Sequence, residues 1–405
     1  MATAIHDDLF APDVIADPYG YFGRLREEDP VHWNAKYELW VLTRYDDVVW
    51  LVRHPERFSS EVFRRDPRPP YPPIPEADME LYSFVREFFG DFFIQRDRPS
   101  HTEMRTVVHG YFTPRAMEAW RPMVQAAVKD LLDEAEAKGR MDVMQDFATP
   151  LPVLVIAQML GLPRQDRRFI RELAQKLLFI GRGDVNRMRP LTDGIKGLVE
   201  YLSPLVDDRL ARPGDDLLSV LARGETSGAY SREEVLSNAV LLLLAGHETT
   251  INLICNGTLA LIHHPQQWAL LRQNPALAGR ATEECLRYDP PVKSLQRIAA
   301  EDLELRDKVI RKLDRARWFI PSANRDPDKF PEPDRFDVTR DPNPHVAFGS
   351  GIHHCLGATL ARVEGQEAFT ALVERFPELH LETEELEYQP SITFRSLKAL
   401  PVTWK

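Results

Sequence analysis

The sequence has only 3 cysteines among its 405 residues, and they are widely spaced, at Cys255, Cys285 and Cys355. This excludes a disulfide framework, and unpaired thiols are typical of a reducing compartment. Basic residues are also in deficit, because 51 Lys and Arg stand against 62 Asp and Glu, which gives a formal net charge of -11. A chain with this balance does not present a general nucleic-acid-binding surface.

A targeting leader and a long apolar run are missing as well. The chain has no stretch of about 18 consecutive apolar residues, which argues against a membrane span. The opening MATAIHDDLFAPD has neither an apolar core nor an early positive charge, so we expect no signal peptide and a cytoplasmic protein. Glycine is scarcer than proline, 20 against 32, which favours fixed turns over flexible linkers. The hydrophobic content of 43% allows one large core or two domains.

Glycine is nevertheless concentrated around Cys355, in the segment FGSGIHHCLG at residues 348–357. Gly349, Gly351 and Gly357 let the backbone bend tightly and leave N–H groups free to point at a thiolate. A helix predicted over residues 356–376 would place the sulfur near a helix N-terminus, which also favours the anion. A cysteine that is only a small buried side chain needs none of these features.

The spacing Phe-Gly-x-Gly-x-His-x-Cys-x-Gly resembles the heme-ligating loop of the cytochrome P450 family. Further family patterns precede it in the family's order, namely HxxxR from His101, AGHETT at residues 245–250, ExxR from Glu284 and ANRDP at residues 323–327. The resemblance covers residues 18–402. It implies a mainly α fold with small β-sheets (α+β), a triangular prism with a long central helix over the heme.

The resemblance also implies how the chain is divided. It predicts a single heme domain over residues 1–405, without a fused reductase. This domain would be richer in β-structure at about residues 1–60 and 292–325. Its helical core would lie at about residues 98–290 and 355–376.

A helix too long for an ordinary surface helix is predicted before the ExxR pattern. Ser231 and Glu234 match a capping box, and the helical pattern continues to His264, where Pro265 follows. Its middle is apolar all round and should therefore be buried. Glycine, histidine, an acid and two threonines at residues 246–250 are poor choices for a buried helix, and such conflicts often mark a functional site.

Taken alone, this polar stretch allows two interpretations. In the first, Gly246 widens the helix locally, Thr249 hydrogen-bonds dioxygen and Glu248 relays protons from solvent. In the second, the threonine only bonds back to the carbonyl four residues earlier. The resemblance favours the first and assigns Ala245 to the heme contacts. A zinc-protease HExxH pattern is excluded, because the second histidine is replaced by Ile251.

Several basic residues are assigned by the resemblance to the heme propionates. His101 and Arg105 lie four residues apart and would share one helix face. Arg297 follows the predicted strand after ExxR, and His353 lies in the cysteine loop. Arginine suits this role because its guanidinium can bind a carboxylate with two hydrogen bonds. Phe348 joins the three loop glycines as a further heme contact.

Glu284 and Arg287 have a structural role in this interpretation. An i,i+3 ion pair on a surface would mean little, but in the family the pair is buried and supports the segment before the cysteine loop. Arg287 is expected to bond to residues 331–336 as well. Leu313 replaces a glycine that is usual in the turn before Asp314, so we expect strain or a changed turn there.

A substrate pocket is predicted near a proline-rich segment at residues 65–75 and the aromatic stretch that follows it. Composition alone leaves a linker as the alternative for the proline-rich segment. Lys293 is unusual beside an apolar pocket, and we expect it to point outward, with contact to an acidic substrate as the alternative. The predicted pocket residues are Phe88, Phe92, Phe179, Leu242, Ala245, Val292, Leu295 and Ile392.

The resemblance implies a monooxygenase of the soluble bacterial type that binds heme b through Cys355. Gly246, Glu248 and Thr249 would be its catalytic residues. Electrons would come from a separate ferredoxin and its NAD(P)H reductase, and the product would be a hydroxylated apolar compound. We expect a monomer.

Two questions remain open at this point. Arg96, Arg98 and Arg362 could form a basic patch for an acidic ferredoxin at the proximal face, or simply a solvated surface. A peroxide-driven peroxygenase, a coupling enzyme or a non-enzymatic gas sensor are the alternative functions. The acid–threonine pair at residues 248–249 favours the monooxygenase.

Overall fold

A computed structural model of the chain describes residues 5–177 and 184–404. Its helices are α1 Pro12–Ala16, α2 Pro18–Glu28, α3 Tyr45–Arg53, α4 Val62–Arg65, α5 Met79–Gly90, α6 Ser100–His109, α7 Pro114–Glu118, α8 Arg121–Lys138, α9 Pro150–Met159, α10 Arg167–Leu177, α11 Met188–Ala211, α12 Leu217–Thr226, α13 Arg232–His263, α14 Pro265–Gln273, α15 Ala278–Tyr288, α16 Ile320–Ala323 and α17 Ala358–Arg375. A π-helical turn, Val143–Ala148, leads into α9.

The strands are short and mostly lie in the first and last thirds of the chain. They are β1 Val31–Asn34, β2 Leu39–Leu42, β3 Phe58–Ser59, β4 Arg140–Asp142, β5 Ser294–Ala299, β6 Leu303–Leu305, β7 Lys308–Ile310, β8 Arg315–Phe319, β9 His380–Leu381 and β10 Pro401–Thr403. The prediction of a mainly α fold with small β-sheets is therefore confirmed.

The largest sheet has the order β1-β2-β8-β5-β3. Strands β2 and β8 are parallel, whereas β5 pairs antiparallel with β8 and places Gln296 opposite Arg317 and Arg297 opposite Ala316. Because side chains alternate between the faces of a strand, Gln296 and Arg297 point to opposite faces of this sheet. Arg317 therefore lies on the same face as Gln296 and on the opposite face from Arg297.

The long helix α13 passes through the core. Ser231 and Glu234 form the predicted capping box, and the helix continues to His263. Its length and composition would allow it to cross a membrane, but most of its apolar window is buried inside the protein. It is thus the core helix of this fold, packed against α9, α11, α15 and α17.

Gly246 does not widen this helix. Residues 232–263 form one continuous α-helix, so the expected local widening is not observed. The glycine has a packing role instead, because a Cβ atom at this position would lie 2.9 Å from Ile156 of α9. Contacts this short do not occur for real Cβ atoms, so a larger residue would push the two helices apart.

Two predicted helices differ in their bounds. The helical pattern at residues 117–138 is divided into α7 and α8, with Pro122 in the first turn of α8, where its missing N–H costs no hydrogen bond. The helix predicted over residues 168–179 is α10, which is described from Arg167 to Leu177. The loop predicted from residue 181 lies largely outside the described residues.

Candidate active site

The cysteine loop leads directly into α17. The Cys355 N–H donates to the Phe348 carbonyl at 2.9 Å, which closes the loop on itself. Gly349 and Gly351 have φ of 68° and 70°, a region that disfavours side chains. At Gly351 a Cβ atom would also lie 2.7 Å from the Val52 carbonyl oxygen of α3, so only glycine lets the loop pass this helix.

The Cys355 thiol is surrounded by protein atoms, but the residue keeps an opening to solvent, because it is exposed. The enclosure raises the pKa of the thiol, while the Gly357 N–H and the guanidinium groups of Arg105 and Arg362 act in the opposite direction. Cys255 and Cys285 are buried, without such an opening. Of the three cysteines, Cys355 alone is therefore placed to bind a ligand.

Four basic side chains gather beside this loop. The rings of His101 and His353 lie 4.1 Å apart between centroids, and Arg105 donates to the His354 carbonyl at 2.7 Å. Burial, together with the charges of Arg105, Arg297 and Arg98, lowers the pKa of His101 to about 4. The pKa of His353 falls to about 2 through burial and the same kind of repulsion. Arg297 is the fourth of these groups, and the carboxylate of Asp97 partly compensates its charge.

The polar stretch of α13 sends its side chains in different directions. Thr249 donates its hydroxyl proton to the Ala245 carbonyl at 2.9 Å, and both residues line a cavity. Glu248 is 8% exposed and lies behind this face. One of its oxygens accepts hydrogen bonds from Ser396 Oγ at 3.0 Å and from Asn252 Nδ2 at 3.3 Å.

The cavity in front of α13 has a volume of about 470 Å³. Side chains from the aromatic stretch, from α13, from β5 and from the turn near residue 392 enclose it, and most of them are apolar. Of the predicted pocket residues, the cavity is lined by Phe92, Ala245, Val292, Leu295 and Ile392. A mostly apolar cavity with a few polar groups is typical of a small-molecule site.

Glu284 and Arg287 form an ion pair that is completely buried. Two hydrogen bonds of 2.8 Å join them, and Arg287 also donates to the carbonyls of Asn324, Pro333 and Arg335. Glu284 accepts from the Asp337 N–H at 2.8 Å. The pair therefore ties α15 to the segment that precedes the cysteine loop, and it reaches the predicted region 331–336.

Comparisons with known proteins agree with this geometry. A family model described as Cytochrome P450 matches residues 205–399. The biotin biosynthesis cytochrome P450 of Bacillus subtilis (strain 168) is 37% identical over 97% of this chain and 98% of its own length. Cytochrome P450 monooxygenase PikC of Streptomyces venezuelae is 40% identical over 97% of this chain and 92% of its own length. A crystal structure of P450BioI in complex with hexadec-9Z-enoic acid ligated acyl carrier protein has a TM-score of 0.89 and 35% identity, covering 97% of this chain and 99% of that chain. The chain belongs to the cytochrome P450 family.

As a P450 the chain is an oxidoreductase that uses heme b with a cysteine thiolate ligand, and the residues around Cys355 fit that group. Among the residues that the structure describes, both ring nitrogens of buried His101 lack a hydrogen-bond partner, as does Nδ1 of His353. Buried polar atoms without partners are rare in native proteins, and the propionates of heme would supply acceptors for them. In the described part of the chain, no cluster of three or more His, Cys, Asp or Glu could hold a metal ion.

The expectation that Lys293 points outward to solvent is wrong. The residue is 4% exposed, because its N–H donates to the Thr393 carbonyl and its own carbonyl accepts from Ile320. These contacts hold the backbone between two segments and turn the side chain into the protein. Burial lowers the pKa of its ammonium group to about 7, and the charge of Arg395 contributes in the same direction.

Arg96 fits neither of the two alternatives left open for Arg96, Arg98 and Arg362, a basic patch for a ferredoxin or a solvated surface. Arg96 is buried and donates to Asp91 at 2.9 Å and to Glu234 at 2.6 Å, so its charge is neutralised inside the protein. Arg362 binds Glu283 through two hydrogen bonds, of 2.7 and 3.0 Å. Arg98 is exposed. The sequence could not show Glu234 and Glu283 as partners, because they lie 138 and 79 residues away from Arg96 and Arg362.

Two of the predicted pocket residues, Leu242 and Phe88, do not line the cavity in the described structure. Leu242 lies one position along α13 from Leu241, and it is Leu241, four residues before Ala245, that shares the cavity face. Phe88 instead stacks on Phe84, with ring centroids 6.4 Å apart. Phe179 lies outside the described residues.

Other residues of the site were not predicted. Ser396 and Asn252 hold the Glu248 carboxylate, although only the i,i+4 spacing of Asn252 could have been found in the sequence. Arg317 lines the cavity from β8. Its position between apolar neighbours, Ala316 and Trp318, in the strand Arg315–Phe319 was a signal that could have been used.

Proposed function

We propose that this P450 is a cytoplasmic monooxygenase that hydroxylates an apolar organic substrate with O₂ and two electrons from a separate ferredoxin and its reductase. The cavity that Thr249 and Ala245 face carries this proposal, because it is apolar and joins the central helix to the aromatic stretch. Heme bound to Cys355 would supply oxygen activation, because a thiolate ligand favours O–O cleavage.

The protein's own residues would manage substrate and protons. Apolar side chains such as Phe92, Val292 and Leu295 line the cavity and would orient a substrate while excluding water. Thr249 holds a hydroxyl at the cavity wall, and the buried carboxylate of Glu248 precedes it in the helix. An acid next to an alcohol is suited to passing protons toward bound dioxygen. This pair favours the O₂-driven reaction over peroxide-driven and gas-sensing alternatives.

The comparisons support separate electron carriers and a long apolar substrate. The matched region accounts for 98% of the length of the Bacillus subtilis relative, so that relative contains little besides the matched region. The P450BioI structure contains an acyl chain of sixteen carbons by its name. As part of the proposal, we extend separate electron carriers and a long apolar substrate to this chain. The proposal also includes one heme domain over the whole sequence.

The spectrum of the reduced, CO-bound protein tests the heme-thiolate assignment. We expect the strongly red-shifted Soret band of thiolate ligation in the wild type and in Cys285→Ala, whose cysteine is buried elsewhere. Cys355→Ala should lose the band. A red-shifted band that survives in Cys355→Ala, or that is absent from the wild type, would refute the proposal.

Turnover with candidate electron carriers tests the proposed source of electrons, a ferredoxin and its reductase. NADPH or NADH with a ferredoxin and its reductase should support product formation from long-chain apolar compounds. Peroxide alone should support much less. If peroxide matches the carrier system at equal substrate concentration, the peroxygenase alternative is correct.

A further inference from the structure

The polar part of the mostly apolar cavity contains more arginines than acidic residues, although the whole chain is acidic. Among the described residues, six arginines line it (Arg68, Arg86, Arg187, Arg297, Arg315 and Arg317), whereas Asp66 is the single acidic one. The chain as a whole carries a formal net charge of -11. Buried positive charge needs a counterion or hydrogen-bond acceptors, and the six arginines differ in which of these they have.

Most of the six have a structural partner. Arg68 and Arg315 share the Asp66 carboxylate. Arg86 donates to the carbonyls of residues 63 and 66. Arg187 donates to those of residues 72 and 184, so both Arg86 and Arg187 serve to hold loops. Arg297 belongs with the basic group beside the cysteine loop.

Arg317 is different because its only hydrogen-bond partners in the described residues are neutral side chains. Its Nη1 donates to Ser294 Oγ at 2.8 Å, and its Nη2 donates to the side-chain oxygen of Gln296. Its Nε is buried and has no partner. A guanidinium carries five N–H donors and prefers planar anions, so this residue has unused capacity for one.

The register of the β5–β8 pair places Arg317 and Arg297 on opposite faces of the sheet. Arg317 lies opposite Gln296 in the β5–β8 pair, so its side chain is on the face opposite to that of Arg297. On that face, Ser294 Oγ donates to the Ile392 carbonyl at 2.7 Å, which places Arg317 beside the turn that lines the cavity. The pKa of Arg317 is lowered to about 10 by burial and by Arg315, so the group is still charged at neutral pH.

We propose that Arg317 binds an anionic head group, a carboxylate or a phosphate, at one end of an otherwise apolar substrate. The inference rests on the proposed function and narrows its substrate class. Ser294 and Gln296 would hold the guanidinium in place, and the apolar chain of the substrate would extend along the cavity toward Thr249. Arg317 is therefore a specificity residue and takes no part in oxygen chemistry.

Matched ligands with one chain length test this proposal on the heme-loaded enzyme. Tetradecanoic acid, tetradecyl phosphate and methyl tetradecanoate are titrated at pH 7.5, and binding is followed by the shift of the Soret band. We expect at least one of the two anions to bind about tenfold or more tightly than the neutral ester. The stronger of the two anions identifies the head group.

Variants of Arg317 test whether this residue causes the preference for anionic ligands. Arg317→Gln should bring anion and ester to similar affinity while leaving ester binding unchanged, and Arg317→Lys should retain part of the preference. Arg311→Gln is the matched control, since Arg311 is an exposed arginine just before β8 that pairs with Asp302. It should keep the full preference.

The outcomes separate this inference from the proposed function. Equal binding of acid, phosphate and ester by the wild type would overturn it, without needing any variant to fold. A preference that persists in Arg317→Gln would overturn it too. In both cases the CO-bound spectrum would still show heme-thiolate ligation, whereas the loss of that spectrum would refute the proposed function itself.

Discussion

The hydroxyl of Thr249 donates its one proton to the Ala245 carbonyl at 2.9 Å. The two interpretations that the sequence left open are therefore compatible, because the same side chain bonds back into the helix and faces the cavity. Toward the cavity the hydroxyl presents acceptor lone pairs, and it can donate there only by leaving the carbonyl. A group that can switch between these two bonds is suited to handling a proton.

Thr249→Ala should uncouple electron use from product formation. We expect NAD(P)H to be consumed at a similar rate, with product falling severalfold and peroxide rising, because the cavity loses its hydroxyl. Thr249→Ser keeps that hydroxyl and should remain largely coupled. The measurement is the ratio of product to NAD(P)H consumed, and an unchanged ratio in Thr249→Ala would remove the residue from its assigned role.

Ser396→Ala should loosen the Glu248 carboxylate, which would keep only Asn252 among its present side-chain partners. We expect a lower kcat, a shifted pH profile of coupling, and an unchanged CO-bound spectrum, because the heme side of the protein is untouched. Ser396→Thr retains the hydroxyl and should restore coupling. A merely structural serine would lower stability without moving the pH profile.

Arg287→Ala should destabilise the protein by about 3–5 kcal/mol, because it removes the fully buried partner of the Glu284 carboxylate and leaves only Arg340, at 3.2 Å, to compensate that charge. We expect a lower thermal midpoint and a smaller heme-loaded fraction of the purified protein. Arg335→Ala is the control, since that arginine is 56% exposed and should cost at most about 1 kcal/mol. Equal losses in the two variants would contradict the role of the buried pair.

Glu364 should make the protein less stable as the pH rises. It is 1% exposed, and burial raises its pKa to about 8, with the Thr250 hydrogen bond opposing. Because the folded state holds the proton more tightly, the contribution of Glu364 is complete below about pH 4.5 and is lost as the pH rises toward about 8.

Glu364→Gln should remove this dependence, which amounts to roughly 4 kcal/mol between those limits. The free energy of unfolding measured from pH 5 to 8.5 should therefore fall more steeply for the wild type. Glu374→Gln, an exposed position on the same helix α17, should behave like the wild type. Parallel curves for wild type and Glu364→Gln would contradict the raised pKa.

Leu313→Gly should stabilise the turn before β8. Leu313 has a φ of 71°, and its side chain is 39% exposed, so its packing offsets little of the strain. Glycine adopts this region without a Cβ clash, and we expect a gain of up to about 1 kcal/mol in the free energy of unfolding. The neighbouring Lys312→Gly has no positive φ to relieve and should be neutral or destabilising.

Local patterns in the sequence predicted those structural features that depend only on residues close together in the chain. The capping box at Ser231, the glycines around Cys355 and the i,i+3 spacing of Glu284 and Arg287 each specify their structure within a few residues. Their joint order was sufficient to indicate the family. The strained turn at Leu313 followed from the same kind of local argument.

Long-range pairing could not be predicted in this way. The burial of Arg96 depends on Glu234, 138 residues later, and the inward turn of Lys293 depends on its bond to residue 393. Gly246 was interpreted from its helix alone, although Ile156 of another helix explains it. Side chains of this kind are decided by what packs against them, and periodicity within one element does not contain that information.

The bonds from Arg287 to three carbonyls set a rule for recombining this enzyme with its relatives. One guanidinium donates to the carbonyls of residues 324, 333 and 335, so the positions of all three carbonyls must match it. A chimera with a crossover between residues 287 and 335 would combine an arginine with carbonyls from a different backbone. Residues 284–335 are therefore best exchanged as one block, with crossovers placed outside it, whenever the cavity is to be redesigned by shuffling.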